Sequence, residues 1–280
     1  MDKSELLELK KTACQVRLWT IEGVFNAKSG HPGGSLSAAD MMTYLYFREM
    51  NTDPSQPKAP GRDRFVLSKG HCCPALYAAL ALKGFFPTEE IKSLRHIGAM
   101  LQGHPDMKNT PGVDMSSGSL GQGISAACGM ALAGKLSGEA YRVYAMLGDG
   151  ECEEGQVWEA LMFAAHMKLD NLCLMVDYNG LQIDGNVADV AGLDHLEEKF
   201  AAFGMEVLTI NGHDFEEMEA AFAKARTVKG KPTVIIARTV KGKGVSYMED
   251  QVGWHGKAPN ADEYRKAMDE LSAQLKALEA

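Results

Sequence analysis

Two short segments hold the residue types best suited to gripping an ion: Gly148-Asp149-Gly150, and the run DYNGLQIDG from Asp177 to Gly185. Each follows an apolar, strand-like run, YRVYAML before the first and NLCLMV before the second. Together they supply the Asp149 carboxylate, the Asn179 carboxamide thirty positions later and, at Leu181, a backbone carbonyl. An all-oxygen set with so little protein charge suits a hard divalent cation that keeps room for phosphate oxygens. Glycines on both sides of Asp149 permit unusual φ values and close approach of a phosphate. A helix follows, so its unpaired N–H groups can face that anion. Taken singly, each segment also reads as a plain turn. Competing motifs do not fit. GDGECE lacks the third glycine of the dinucleotide fingerprint, no GxxxxGK[ST] loop exists, and DYNGLQIDG departs from the EF-hand pattern at its fifth and sixth positions.

Four of the eight histidines stand beside glycine in loop-like contexts: His31, His71, His104 and His255. Imidazoles near neutrality both hydrogen-bond and shuttle protons. Each of the four reads alternatively as a loop histidine that caps a turn. His96, His166 and His195 read as ordinary surface or core residues, and His213 as structural. His71-Cys72-Cys73 imitates a metal cluster, but adjacent residues on one helix rarely share an ion, so zinc is not expected.

These loops need a scaffold, and the chain's pattern provides one. Apolar residues Leu6, Leu9, Ala13, Val16, Ile21 and Val24 recur at helical spacing over Glu5–Phe25. SGHPGGSLS breaks that helix, and another begins at Ser37. Residues 51–63 carry three prolines and read as a surface loop; RFVL (Arg64–Leu67) reads as a short buried strand, with a helix from about Pro74. The Gly/Pro-punctuated section Gly98–Gly118 is too long for a plain connector and is suspected of function. Beyond it come a helix over Leu120–Leu136 and then strand Tyr141–Leu147, helix Val157–Met167, strand Asn171–Val176 and helix Leu193–Phe203. Strand Glu206–Ile210, helix Phe215–Thr227 and strand Pro232–Ala237 complete the alternation. Such alternation predicts an α/β fold in three layers, a parallel sheet with helices on both faces, whose ligands bind at the carboxyl ends of the strands. A last apolar stripe, Tyr264, Met268, Leu271, Leu275 and Leu278, predicts a C-terminal helix that packs on its own chain.

Composition narrows the function classes. The net charge of −8 argues against nucleic acid, whose phosphates demand a basic stripe. No apolar run reaches membrane-span length, and the first residues have no signal-peptide pattern. Six scattered cysteines without CxxC spacing point to reduced thiols in the cytoplasm.

In order along the chain, SGHPGG, DRFVLSKGH, QGHP, SGSLGQGIS, GDGECEEGQVWEA, DYNGLQIDG, NGHD and KGKGVSYMEDQVGWHGK resemble the transketolase family from about Ser29 to Lys257. The resemblance implies thiamine diphosphate (ThDP) as cofactor, its diphosphate clamped by Mg2+ (or Ca2+) on Asp149, Asn179 and the Leu181 carbonyl. It implies further cofactor contacts from His71, Gly118, Leu120, Gly148, Gly150, Glu154, Ile183, Lys241 and His255. Gly118 and Leu120 would meet the aminopyrimidine and Ile183 the thiazolium, with Lys241 near the mouth of the sugar channel. The residues implied in catalysis are His31, His71, His104, His255 and Glu154. The activity implied is transfer of a two-carbon ketol unit from a ketose to an aldose.

In this family the activating glutamate belongs to a separate pyrimidine-binding domain, which a third domain follows, and Glu154 matches the residue that bonds to it across the interface. Residues 1–280 therefore read as the diphosphate-binding domain alone, with an N-terminal helix and a C-terminal helical extension. The partner expected is a second subunit that carries the pyrimidine-binding and C-terminal domains, two of each chain together. The family's phosphate-binding arginines would lie there too. Two positions depart from the family pattern: Tyr178 stands where Asp or Asn is frequent, and Ser119 where proline is. Other readings are one chain of a 2-oxo-acid dehydrogenase or decarboxylase, and a non-catalytic cofactor-binding subunit.

Overall fold

The structure, a computed structural model, describes residues 1–280. The chain opens with α1 (Lys3–Ala27), where the Asp2 side chain accepts from the Ser4 and Glu5 amides and Glu5 answers onto the Asp2 amide. That reciprocal cap satisfies N–H groups a helix start otherwise leaves bare. Helix α2 (Pro32–Tyr44) begins five residues before the expected Ser37, because Pro32 occupies its first turn. Proline is pre-set for that position and lacks only an N–H that would be unpaired anyway, so it starts the helix here instead of breaking it.

Strand β1 (Arg64–Leu67) and helix α3 (Cys73–Lys83) follow, then α4 (Gln122–Leu136), β2 (Val143–Gly148), α5 (Gly155–His166) and β3 (Leu172–Tyr178). A two-residue hairpin, β4 (Leu181–Gln182) with β5 (Gly185–Asn186), stands where the sequence suggested only a turn. The helix expected over Leu193–Phe203 is shorter. A single turn, α6 (Val187–Val190), precedes α7 (Leu196–Ala202), since His195 adopts φ +56° and cannot continue a helix N-terminally. Then come β6 (Glu206–Asn211), α8 (Phe215–Thr227), β7 (Thr233–Arg238) and α9 (Ala261–Glu279).

Five strands pair in the order β1-β2-β3-β7-β6, every pair parallel. The two-residue period of the strands divides their side chains between two cores. Phe65, Leu67, Tyr144, Met146, Cys173, Met175, Ile235 and Ala237 pack against α1, α2, α3 and α8. Val66, Val143, Ala145, Leu147, Leu174, Val176, Val234 and Ile236 pack against α4, α5 and α7. Both faces being covered, β1, β2, β3 and β7 read as unbroken apolar runs instead of alternating ones.

Helix α9 lies along α1, burying Ala267 and Leu271 with Ile21, Leu36, Val245, Met248 and Trp254. Tyr264 stacks on Phe25 with ring centroids 4.0 Å apart. The C-terminal stripe thus packs on its own chain and backs the segment that leads from β7 to His255. No helix is long and apolar enough to cross a membrane.

Candidate active site

The carboxyl ends of β1, β2, β3 and β7 deliver loops to one cleft of about 400 Å3. His31, His71, Gly118, Leu120, Gly148, Asp149, Gly150, Glu154, Asn179, Leu181, Ile183, Lys241 and His255 all line it. His104 does not line the cleft. It stands just behind Gly118, where an added Cβ would meet the His104 ring at 3.2 Å. Close approach matters again at Gly70, whose would-be Cβ falls 2.8 Å from the Gly118 backbone nitrogen, so the His71 turn presses directly on the Gly118 loop.

The oxygen donors are tied together by the backbone. One Asp149 oxygen accepts from the Gly150 amide at 2.9 Å and the other from the Gly180 amide at 2.5 Å, which locks the loop after β2 to the loop after β3. Asn179 donates its amide to Asp177 at 3.3 Å, and its Oδ1 accepts from the Leu181 amide at 3.2 Å. Burial and the neighbouring Asp177 charge raise Asp149 to about 6. No three His, Cys, Asp or Glu side chains gather as a conventional metal cage. The donor set is mixed instead: one carboxylate, one carboxamide and one carbonyl, which a divalent cation carrying phosphate oxygens would complete.

Beneath these donors sits machinery that motif reading did not identify. Lys69 and Asp177 form a salt bridge, with both side chains almost wholly inaccessible. Asp177 also accepts from the hydroxyls of Ser37 and Thr239. Burial alone would push its carboxyl up, but Lys69 and those hydrogen bonds hold it below the ordinary range. Glu151 is buried too, and its carboxylate accepts from the Ser68 hydroxyl, the Gly121 amide at 2.9 Å and the Gly148 amide at 3.1 Å. It fastens three of the cleft's loops to one another. A charged residue at the end of an otherwise apolar strand, as in NLCLMVD, was the available signal for Asp177.

Lys241, expected near a channel mouth, is instead buried on the cleft floor. Its ammonium donates to the Leu181 carbonyl at 2.8 Å and to His255 Nδ1 at 3.0 Å. An ammonium can only donate, so His255 Nδ1 is the acceptor and the ring proton lies on Nε2. Burial lowers the Lys241 pKa.

Three imidazoles face one another. Ring centroids lie 5.1 Å apart for His31 and His71, 5.6 Å for His31 and His255, and 5.2 Å for His71 and His255. Burial, helped by neighbouring cations, lowers them to about 4, about 2 and about 3 respectively, so all three are neutral at pH 7. His31 Nδ1 is buried and has no hydrogen-bond partner in the protein. Outside the cleft, His96, His166 and His195 are exposed. His213 bridges Asp40, at 2.6 Å from Nδ1, and the Val240 amide, which donates to Nε2 at 2.9 Å. That bridge steadies the segment before Lys241, in keeping with a structural residue.

This geometry can be set beside known proteins. The family described as transketolase, thiamine diphosphate binding domain, matches residues 9–277. The chain belongs to the transketolase family. Membership implies thiamine diphosphate as the cofactor. Among similar proteins, the 6-deoxy-6-sulfo-D-fructose transketolase subunit SqwG of Clostridium sp. (strain MSTE9) is 46% identical over 96% of this chain and 98% of its own length. An apulose-4-phosphate transketolase subunit from Phocaeicola vulgatus is 42% identical over 98% of this chain and 97% of its own. The crystal structure of transketolase from Campylobacter jejuni superposes with a TM-score of 0.89 at 32% identity, covering 99% of this chain. This transketolase-family chain spans 46% of that protein's length, so less than half of the larger molecule has a counterpart here.

Proposed function

We propose that this chain is the diphosphate-binding subunit of a split transketolase, dependent on thiamine diphosphate and Mg2+, that transfers a two-carbon ketol unit from a ketose to an aldose. The observation that carries the reading is the cleft itself. Asp149, Asn179 and Leu181 line it together with three neutral imidazoles, and the Gly180–Asp149 and Leu181–Asn179 hydrogen bonds hold the two donor loops side by side. Bound there, thiamine diphosphate would supply the carbanion chemistry that holds the two-carbon unit between donor and acceptor.

The chain's own residues would do the rest. Three buried carboxyls (Asp149, Glu151, Asp177) face two buried ammoniums (Lys69, Lys241), so the floor alone offers no net attraction to a diphosphate. A divalent cation on Asp149, Asn179 and Leu181 reverses that sign, which supports a strict metal requirement. His71, Gly148, Gly150, Lys241 and His255 would lie around the diphosphate, and Gly118, Leu120 and Ile183 against the rings. Neutral imidazoles each present a donor and an acceptor, which matches polyol hydroxyls. The unpartnered His31 Nδ1 would take one of them and His255 Nε2 another, and either could carry a proton between substrate oxygens, with His104 set behind the Gly118 loop. A decarboxylation site has less use for such a set.

Glu154 stands at the N-terminal boundary of α5 with no capping bond from its side chain and is exposed at the rim of the cleft, and Ile183 is 62% exposed. Both positions suit a partner surface. We assign to that partner the pyrimidine-binding and C-terminal domains and the activating glutamate, leaving residues 1–280 as the diphosphate-binding domain. The assembly would hold two copies of each chain. The names of the two subunit relatives, which span nearly the same length, support this division. Six free, buried thiols accord with a cytoplasmic location.

The test is isotopic. The assembled complex, given a ketose labelled at C1 and C2 together with an unlabelled aldose, should place both labels in a new, longer ketose. Release of labelled CO2 from a 2-oxo acid, with no such transfer, would favour the decarboxylase reading and overturn this one.

A further inference from the structure

The same residues, ARTVKGK, stand at Ala225–Lys231, where α8 ends, and at Ala237–Lys243, where β7 ends. Both copies bend at a left-handed glycine, φ +72° at Gly230 and +78° at Gly242. Yet Lys229 is exposed, while Lys241 is only 2% exposed on the cleft floor. One sequence with two fates means that Lys241 is placed by what surrounds the second copy.

Each residue from Val240 to Lys243 has its backbone gripped by a different part of the chain. The Gly242 amide donates to the Gly33 carbonyl in α2 at 2.9 Å, and the Asp250 amide to the Lys241 carbonyl at 2.9 Å. Arg17 Nε, from α1, donates to the Lys243 carbonyl at 3.1 Å. The Val240 amide donates to His213 Nε2 at 2.9 Å, which assigns the ring proton to Nδ1, 2.6 Å from Asp40. Arg17 holds the same Asp40 through both ends of its fork, at 3.1 and 2.5 Å. Burial alone would raise the Asp40 carboxyl, but Arg17 and His213 keep it below the ordinary range, so an anion anchors the ring. Arg17, Asp40 and His213 do not line the cleft. Gly33 leaves space for the lysine stem: a Cβ there would lie 3.2 Å from Lys241 Cγ and 3.3 Å from Cε.

We propose that His213 is a positioning residue. Backed by Asp40 and Arg17, it acts through the Val240 amide to fix the Lys241 ammonium on the Leu181 carbonyl and His255 Nδ1. The inference rests on the cofactor placement above, in which Lys241 lies beside the diphosphate, and adds the device that keeps it there. A rigid ring with its donor and acceptor on separate nitrogens carries the position of Asp40 across to Val240. A lysine stem is flexible, so an ammonium ordered in advance spares the cost of ordering it when an anion binds.

The test uses the complex assembled with its partner. Lysine acetylation footprinting without cofactor reads the ammonium itself, with Lys229 as the exposed reference and Lys69 as the buried one. His213→Leu removes both ring hydrogen bonds but leaves the Arg17–Asp40 pair, so no buried charge is stranded. It should raise labelling at Lys241 alone. His213→Gln, whose carboxamide has a donor and an acceptor, should keep Lys241 protected. Equal labelling of Lys241 in all three proteins, or a parallel rise at Lys69, would overturn the proposal. Calorimetric titration of thiamine diphosphate at saturating Mg2+ gives a second readout. Affinity should fall about tenfold in His213→Leu and little in His213→Gln, and His213→Leu should add nothing in a Lys241→Met background. A loss of the same size in that background would mean that His213 acts by another route, and would overturn the proposal. If Lys241→Met itself binds the cofactor as the native complex does, the placement of Lys241 beside the diphosphate fails. The footprint then decides by itself whether His213 positions the lysine.

Discussion

The Gly150 and Gly180 amides fix both oxygens of Asp149, the carboxylate of the proposed metal site. Asp149→Ala removes the one carboxylate of the donor set and leaves both amides unpaired, so metal-dependent thiamine diphosphate affinity in the assembled complex should fall by about 100-fold. The check is a cofactor titration with and without Mg2+. His31 makes a different prediction. Its pKa is depressed from 6.5 to about 4, with burial the main cause. Between those values the unfolded chain binds the proton and the folded chain does not, so stability rises with pH. The contribution is therefore present above pH 6.5 and is lost as pH falls toward 4. His31→Asn should flatten the dependence of Tm on pH across that window, while an unchanged slope would mean His31 is not held neutral by its surroundings. At this scale the positions that line the cleft were legible, Asp149, Asn179 and three of the four glycine-flanked histidines among them, because their types and spacing single them out. The floor of the site was not. Lys69 and Asp177 are far apart in the chain, and only folding shows that they neutralise each other.

Elements explain why that pair exists. Lys69 follows β1 and Asp177 is the second-last residue of β3, with β2 between them, so the salt bridge spans β2 just below the loops that carry Asp149 and Asn179. Removing one partner leaves a buried charge alone. Lys69→Met should cost about 3–5 kcal/mol in urea unfolding, and adding Asp177→Leu should recover a large part of it. If the double variant is no more stable than the single one, the pair does not act as a unit. The strands and most helices could be placed from periodicity, β1 and α8 to the residue. Boundaries failed where one residue overrode the pattern. Pro32 starts α2 where a breaker was read, and the left-handed His195 delays α7. The β4–β5 hairpin, at two residues a strand, is too short to carry any period.

For the whole molecule, four adjacent strand ends build one cleft, and the alternation of apolar runs with helices already foretold that arrangement. The proposed partner would supply the opposite wall. Exposed Glu154 and Ile183 stand at the rim, and the chain matches less than half of the Campylobacter jejuni transketolase while matching two transketolase subunits nearly end to end. Whether this chain is half of a divided active site is decided by titration. A chain carrying the pyrimidine-binding domain is added in steps to a fixed amount of this protein, with saturating thiamine diphosphate and Mg2+, and ketol transfer from ketose to aldose is measured. A divided site gives no transfer without the added chain and a rate that climbs and levels off at one partner per copy of this chain. Transfer at full rate by this chain alone would contradict it.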